Sequence, residues 1–456
     1  MTKVVKVKKG LDIKLKGKAP KVFLGIAQSD SYAIVPDYYV GITPKVVVHA
    51  GDRVKAGTPV MYDKSHPEIK IVAPVSGEVT GIIRGEKRKI LRITIKPDEQ
   101  IEYEQFETID PASADPERLK ALLLEAGLWP CIRQRPYDRV ASPAETPRDI
   151  FVTAHFTAPL APGFDFLVKG HEAALRVGLE VLARLTPGKV YLGMKGGDKL
   201  PDLPDEVEIV ELYGPHPIGN VGVMINHIKP VNKGETVWTL NATDVLFIGR
   251  FFLQGRVDFM RLIALTGSEM TERGYVKAIA GCTIDSLVQG KINSQFSIPT
   301  DKHLRIICGN VLTGIKVALD DYLSPFENQL TVIPEGDDVD EFVGWAMPGF
   351  GKYSVSRTYF SWLLGRHKDY IIDARIRGGK RAMIMSNEYD KVFPMDILPE
   401  YLLKAIITSD IEKMENLGIY EVAPEDFALC EFVDTSKIEI QKIVRDGLGL
   451  LYKEMN

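Results

Sequence analysis

Two stretches near the C-terminus keep the spacing of a paired iron–sulfur module from which the sulfur has gone. A cluster-binding repeat places four Cys as CxxCxxCxxxC, because one short loop and one following residue must wrap a cube of iron and sulfide. Counted back from Pro394, those places hold Met383, Ser386, Tyr389 and Phe393. In the second stretch they hold Pro424, Phe427, Cys430 and Asp434. One thiol in eight places cannot hold a cluster. The frame thus constrains the fold without supplying the chemistry. It predicts a helical C-terminal domain, 336–456, resembling a ferredoxin without clusters. Helical spacing of apolar residues over Ile397–Ile407 and Ile438–Leu451 agrees, with Leu398, Leu402 and Leu403 as packing residues. The acids Asp426, Glu431 and Asp434 read as a solvated face.

The whole chain, at 456 residues, is long enough for several domains at roughly 100–200 residues each. A net charge of −4, with no large basic tract, excludes nucleic acid as an expected partner. No apolar run is long enough to span a bilayer, and the most apolar region, Val245–Leu265, is broken by Arg250, Arg256, Asp258 and Arg261. The N-terminus lacks the apolar core of a signal peptide. Cys131, Cys282, Cys308 and Cys430 lie far apart, as reduced thiols of a cytosolic protein would. No His pair has ligand spacing, so no metal site is expected.

Residues 1–105 read as a barrel-sandwich of the biotinyl/lipoyl kind. The first 21 residues carry eight Lys and one Asp in partial alternation, as in an edge strand shielded by lysines or a basic rim facing an acidic partner. Glycine turns at Ala50–Gly57 and Pro74–Gly77 then join short β-rich runs. Lys64 stands near the place of a cofactor-bearing lysine, but ten residues before Pro74 and beside His66-Pro67, which spoils the tight hairpin that presents such an arm. Residues 106–148 read as a Pro-rich connector with one helix, Asp115–Ala126, begun by Pro116 and stopped by Gly127.

Residues 149–255 read as a Rossmann-like unit. Ile150–Val152, a helix over His171–Leu185 and Val190–Leu192 make a βαβ crossover and so a parallel sheet. A dinucleotide site needs a Gly-rich turn running from the first strand into the helix. Here that loop is Thr157–Lys169, with Pro159 and Pro162, and Gly193, Gly196 and Gly197 come only after the second strand. NADH binding is therefore not expected. The tight polar loop Gly214-Pro215-His216-Pro217-Ile218-Gly219-Asn220 is either a structural turn or a contact loop, in which His216, Pro217 and Asn220 would meet a ligand or another subunit. Residues 256–335 follow the order strand, strand, helix, strand, Gly-turn, strand of a β-grasp-like (SLBB) domain, with no acid–base or nucleophile constellation.

Several short motifs in this order resemble one family along essentially the whole chain. They are Lys8-Lys9-Gly10-Leu11-Asp12, the run Val72–Val79, Ile83–Arg88, Gly214-Pro215-His216-Pro217 and the Gly309–Gly314 turn. The chain is similar to the NqrA family of Na⁺-translocating NADH:quinone reductases. That family resembles the C subunit of the Rnf complex, which keeps two four-Cys runs, and the flavin-bearing NADH subunit of respiratory complex I. The resemblance implies a six-subunit translocase that oxidises NADH, reduces ubiquinone and exports Na⁺, with FAD, FMN, riboflavin and iron–sulfur on other subunits. It implies for this chain a non-catalytic scaffold, peripheral on the cytoplasmic face of the bacterial inner membrane. The chain would dock on a membrane subunit near quinone chemistry and bind no cofactor of its own. The sequence departs from the family at Val223-Met224-Ile225-Asn226-His227, where relatives carry a Thr-His-Ile-His type of stretch. The rival reading is a flavin-binding NADH dehydrogenase (diaphorase) that holds flavin in the βαβ unit by an unfamiliar loop.

Overall fold

The computed structural model describes residues 3–198, 203–292, 303–337, 348–365 and 368–455. The architecture is mixed α/β and built from several units. Residues 32–97 form two small antiparallel sheets facing one another. One has the order Tyr32–Ile34, Ile90–Pro97, Gly77–Arg84, Arg53–Val54, and the other Pro44–Val46, Pro59–Asp63, Lys70–Val72. Their inward residues, including Val60, Val75, Val79, Ile93 and Ile95, are fully buried, which makes a barrel-sandwich. Lys64 lies exposed in the loop between Asp63 and Lys70, and its amide donates to Thr43 O at 2.9 Å.

A seven-stranded sheet forms the middle of the molecule, in the order Lys3–Lys6, Val207–Tyr213, Val190–Lys195, Ile150–Thr153, Val237–Asn241, Arg133–Arg135, Arg139–Val140. The first five strands are parallel, and Arg133–Arg135 runs antiparallel to both of its neighbours. The expected crossover is present, with helix Glu172–Arg184 between parallel strands. That helix crosses Ala242–Gln254 at very short range: a Cβ on Gly249 would stand 1.7 Å from Ala174 O, so only glycine fits.

Two expectations fail in this sheet. Residues 106–148 are not merely a connector, because 133–135 and 139–140 extend the ladder beyond Val237–Asn241. Nor do residues 1–105 stay in the barrel-sandwich. Lys3–Lys6 pairs with Val210–Tyr213 as the sheet's edge strand, burying Val5 and presenting lysines to the rim. Phe23–Ile26 leaves in another direction, to pair with Tyr275–Lys277. A short strand carries no mark of its partner, and both pairings are decided by which open ladder the folded body offers.

The third unit has the strand order Ile315–Val317, Leu304–Cys308, Gln329–Pro334, Met260–Thr266, Gly274–Ile279. Met260–Thr266 lies parallel to Gln329–Pro334 and antiparallel to Gly274–Ile279, which is β-grasp topology. The helical expectation for 336–456 holds only from Pro399 onward, in Pro399–Ile407, Ile411–Asn416, Ala428–Val433 and Ile440–Met455. The described residues from 348 to 398 are mostly irregular, apart from Ser361–Leu364 and one 3-10 turn. Leu402 and Leu403 are fully buried, whereas Leu398 is exposed. These C-terminal helices share one apolar core with Val5, Phe151, Tyr191 and Val210, so they cover a face of the central sheet.

Candidate functional site

The strand order reverses between Ile150–Thr153 and Val237–Asn241, the place where open parallel sheets hold their ligands at the carboxyl ends of the strands. A cavity of about 360 Å³ opens there. Its walls come from three units: Thr153, Thr157 and Asn241 from the sheet, Glu327 and Asn328 from the β-grasp unit, and Pro424, Glu425 and Arg445 from the C-terminal unit.

The 214–220 loop forms one wall. His216 and Pro217 are buried. The His216 amide donates to Asp12 Oδ1 at 2.9 Å and its carbonyl accepts from Leu11 at 2.8 Å, which ties the loop to the N-terminal segment. Thr157 Oγ1 accepts from the Gly219 amide at 3.1 Å and lies 3.0 Å from His216 Nδ1. Burial lowers the His216 pKa to about 4, so the ring is neutral and can accept the Thr157 hydroxyl proton at Nδ1. Asn220 Nδ2 donates to Glu425 O at 3.1 Å, joining the loop to the C-terminal unit. His216 and Asn220 line the cavity and Pro217 does not.

The loop after the first parallel strand, where a phosphate cradle would lie, has other work. Its Thr157 holds the His216 loop, and Pro159 O accepts from Gln329 Nε2 at 3.2 Å, clamping the β-grasp unit. The guanidinium groups on the cavity walls already carry carboxylates. Arg135 lies 2.9 Å from Asp426, with both side chains 1% exposed, and Arg133 lies 3.3 Å from Asp138. Arg445 also pairs with Asp138. Behind them Arg261 holds Asp244 at 2.7 Å. A bound phosphate would have to break these pairs. Among the described residues no group of acids, His or Cys has the arrangement of a metal site.

Two acids on the cavity walls are held above the usual carboxylate range. Burial raises Glu327 to about 7, with Asp244 adding to the shift and Arg261 opposing it. Burial also raises Glu425, Asp426 adds to that, and Arg135 opposes it. Sequence reasoning passes over Arg135, Asp138, Glu327 and Glu425. Arg133-Gln134-Arg135 falls in a stretch that reads as a connector, and no local pattern marks the carboxylates that meet it.

The iron–sulfur frame is filled by packing. Tyr389, Phe393, Phe427 and Cys430 are all buried in the C-terminal core. Phe393 and Phe427 face each other with ring centroids 4.9 Å apart. Tyr389 donates its hydroxyl to Asp434 Oδ1 at 2.8 Å. Cys430 is raised well above the usual thiol pKa by burial and stays protonated. The solvated face expected for Asp426, Glu431 and Asp434 is corrected at two of the three. Asp426 and Asp434 are buried, Asp426 by its bond to Arg135 and Asp434 by those from Tyr389 and the Ser436 and Ile438 amides. Glu431 is half-buried and accepts from the Gln441 amide.

Comparison with known proteins finds three modules in order along the chain. Residues 5–98 match the NqrA N-terminal barrel-sandwich hybrid domain, 114–257 the NqrA second alpha/beta domain, and 262–318 the SLBB-type NQRA C-terminal domain. The start of the second match at residue 114 agrees with the strands found in the supposed connector. The chain is 36% identical to the NqrA protein of the Na(+)-translocating NADH-quinone reductase from Rhodopirellula baltica, over 99% of this chain and 98% of that one. It is 35% identical to the corresponding proteins from Serratia proteamaculans and Neisseria meningitidis, over 99% of this chain and 100% of theirs. A solved NAD+-reducing [NiFe]-hydrogenase aligns at a TM-score of 0.38 and 10% identity, over 75% of this chain and 62% of that one, too distant for any inference. Fold and modules define a multidomain component of a quinone-reducing complex. The chain belongs to the NqrA family of Na(+)-translocating NADH-quinone reductases. The diaphorase alternative is not favoured.

Proposed function

We propose that this chain serves the sodium-translocating NADH–quinone reductase as a structural component, without a prosthetic group of its own. It would sit on the cytoplasmic face of the membrane, docked on a membrane subunit. The observation that carries the reading is the cross-pairing inside the stripped frame. In two-cluster ferredoxins the fourth Cys of each repeat ligates the cluster of the other repeat. Here the fourth place of the first repeat, Phe393, packs on the second place of the other, Phe427. The fourth place of the second repeat, Asp434, bonds the third place of the first, Tyr389. The two repeats thus meet through an aromatic contact and a hydrogen bond at the places where clusters would be shared. This supports descent from a ferredoxin-like module, and with it kinship to the Rnf C subunit. The parallel order 207–213, 190–195, 150–153, 237–241 supports a Rossmann-like origin for the central sheet, its phosphate loop turned to packing.

A purification with the chain tagged, from membranes of its own cell, tests the reading. Co-purification of hydrophobic flavin-bearing subunits is expected, while the isolated chain carries neither flavin nor iron in whole-number ratio. A lone chain, or a coloured one, overturns it. Quinone contact is a narrower part of the proposal. His216 and Asn220 would belong to it through the cavity, where a neutral His216 and the Asn220 amide offer hydrogen bonds to a head group, while Pro217 would only shape the loop behind them. A quinone titration of the isolated chain without a saturable signal removes that part alone.

A further inference from the structure

The chain exposes large apolar side chains in many places, but one stretch concentrates them with positive charge. Between Pro348 and Gly365 the backbone closes on itself: Phe360 N donates to Pro348 O at 3.0 Å and Thr358 N to Ser354 Oγ at 3.1 Å. On this compact loop Phe350, Val355, Phe360, Trp362 and Leu363 are all 42–60% exposed. Phe350 and Phe360 stack with centroids 6.2 Å apart, and Arg357 lies over the Trp362 ring at 5.5 Å. The base is anchored. Tyr353 packs against Tyr370 and Phe432, and Tyr370 exchanges backbone hydrogen bonds with Lys14 and Lys16. The adjoining strip continues the theme, with Ile371 54% and Ile376 67% exposed beside Lys368 and beside Arg377 and Lys380, which also pair with Asp373 and Glu439. The described residues from Pro348 to Met385 carry seven Lys or Arg and two Asp, in a chain whose net charge is −4.

We propose that this basic, aromatic loop rests directly on the membrane surface, its apolar tip among the lipid head groups and its cations on anionic phospholipid. The inference rests on the peripheral placement proposed above. Exposed Trp and Phe beside Lys and Arg suit the interface, where amphipathic rings and snorkelling cations are both satisfied. Charge chooses lipid over a protein partner. Cytosolic loops of membrane proteins are themselves rich in Lys and Arg and would repel this face, whereas anionic head groups attract it. No helix among the described residues is long and apolar enough to cross a membrane, so the contact is one of surface binding.

The test uses the full chain, in a Trp345→Phe background, with vesicles of phosphatidylcholine, with and without phosphatidylglycerol. Trp129 and Trp238 are buried, so Trp362 emission is the interfacial reporter, with Trp362→Phe as its control. Partition onto anionic vesicles with a blue shift is expected. It should weaken about fivefold for each cation neutralised, and further as salt rises. Lys352→Glu with Arg357→Glu, and separately Phe360→Ser with Leu363→Ser, should abolish the shift while leaving the circular dichroism unchanged. Absence of partition, partition indifferent to both double variants, or binding seen only with vesicles that hold the membrane subunits would overturn it. If tagged chain still recovers the other subunits while vesicle binding fails, its place in the complex stands and only the lipid contact falls.

Discussion

Arg135 and Asp426 join the central sheet to the C-terminal unit through a single buried ion pair, and their removal measures how firmly the cavity is assembled. In Arg135→Met the Asp426 carboxylate keeps the Ala423 amide at 2.9 Å but loses its countercharge, and its Oδ1 has no hydrogen-bond partner to begin with. Glu421 O loses the guanidinium donor at 2.5 Å as well. Stranding a buried charge costs about 3–5 kcal/mol. Asp426→Leu should cost less, because Arg135 still has Glu425 at 3.4 Å. The double variant removes both charges and should return to within about 1–2 kcal/mol of the parent. The coupling between the two sites is then about 2–3 kcal/mol plus whatever Asp426→Leu costs alone. Urea unfolding followed by fluorescence of the buried Trp129–Trp238 pair, with proteolysis of the C-terminal helices as a second probe, gives the four values. A loss below about 1 kcal/mol for Arg135→Met, or a double variant worse than both singles, would refute the reasoning.

Glu327→Gln tests the buried acid. With a folded pKa near 7 against an ordinary 4.5, the folded carboxyl keeps a proton that the unfolded one releases, so parent stability is fullest below about 4.5 and falls as pH rises to 7. The Gln variant lacks this decline and should be more stable at pH 8 by about 1–2 kcal/mol, the full shift being discounted because the group faces a solvent-filled cavity; equal denaturation midpoints at pH 5 and pH 8 would contradict it. His216 has the opposite sign. Its depressed pKa makes the folded state lose stability as pH drops from 6.5 toward 4, and its ring proton resonances should stay flat down to about pH 5.5. A titration midpoint near 6.5 would show the ring to be solvated. Gly249→Ala must push its helix off Ala174 O and should cost about 1–3 kcal/mol in a thermal melt, with no loss of cavity residues.

What could be read without coordinates was local. Pro116 and Gly127 bracket a helix found at Pro116–Glu125, and the apolar stripe from Ala174 to Leu182 lies buried on Glu172–Arg184. The β-grasp order was legible for the same reason, though the short Ile315–Val317 strand was not, having two exposed residues of three. Motif order along the chain was enough to indicate the family. The burial of Asp426 and Asp434 could not be foreseen, because an acid inside looks like an acid outside until its partner arrives from elsewhere, here Arg135 from 291 positions away and Tyr389 from 45.

Turn residues, periodicity and spacing act over a few neighbours, so the polypeptide alone determined its helices, most of its strands and the emptied cluster frame. Strand partners and buried charge pairs depend on chain segments that meet only after collapse. The tertiary structure therefore decided that Lys3–Lys6 closes the central sheet, that residues 133–140 extend it, and that a cavity walled by three units stands at the strand-order reversal.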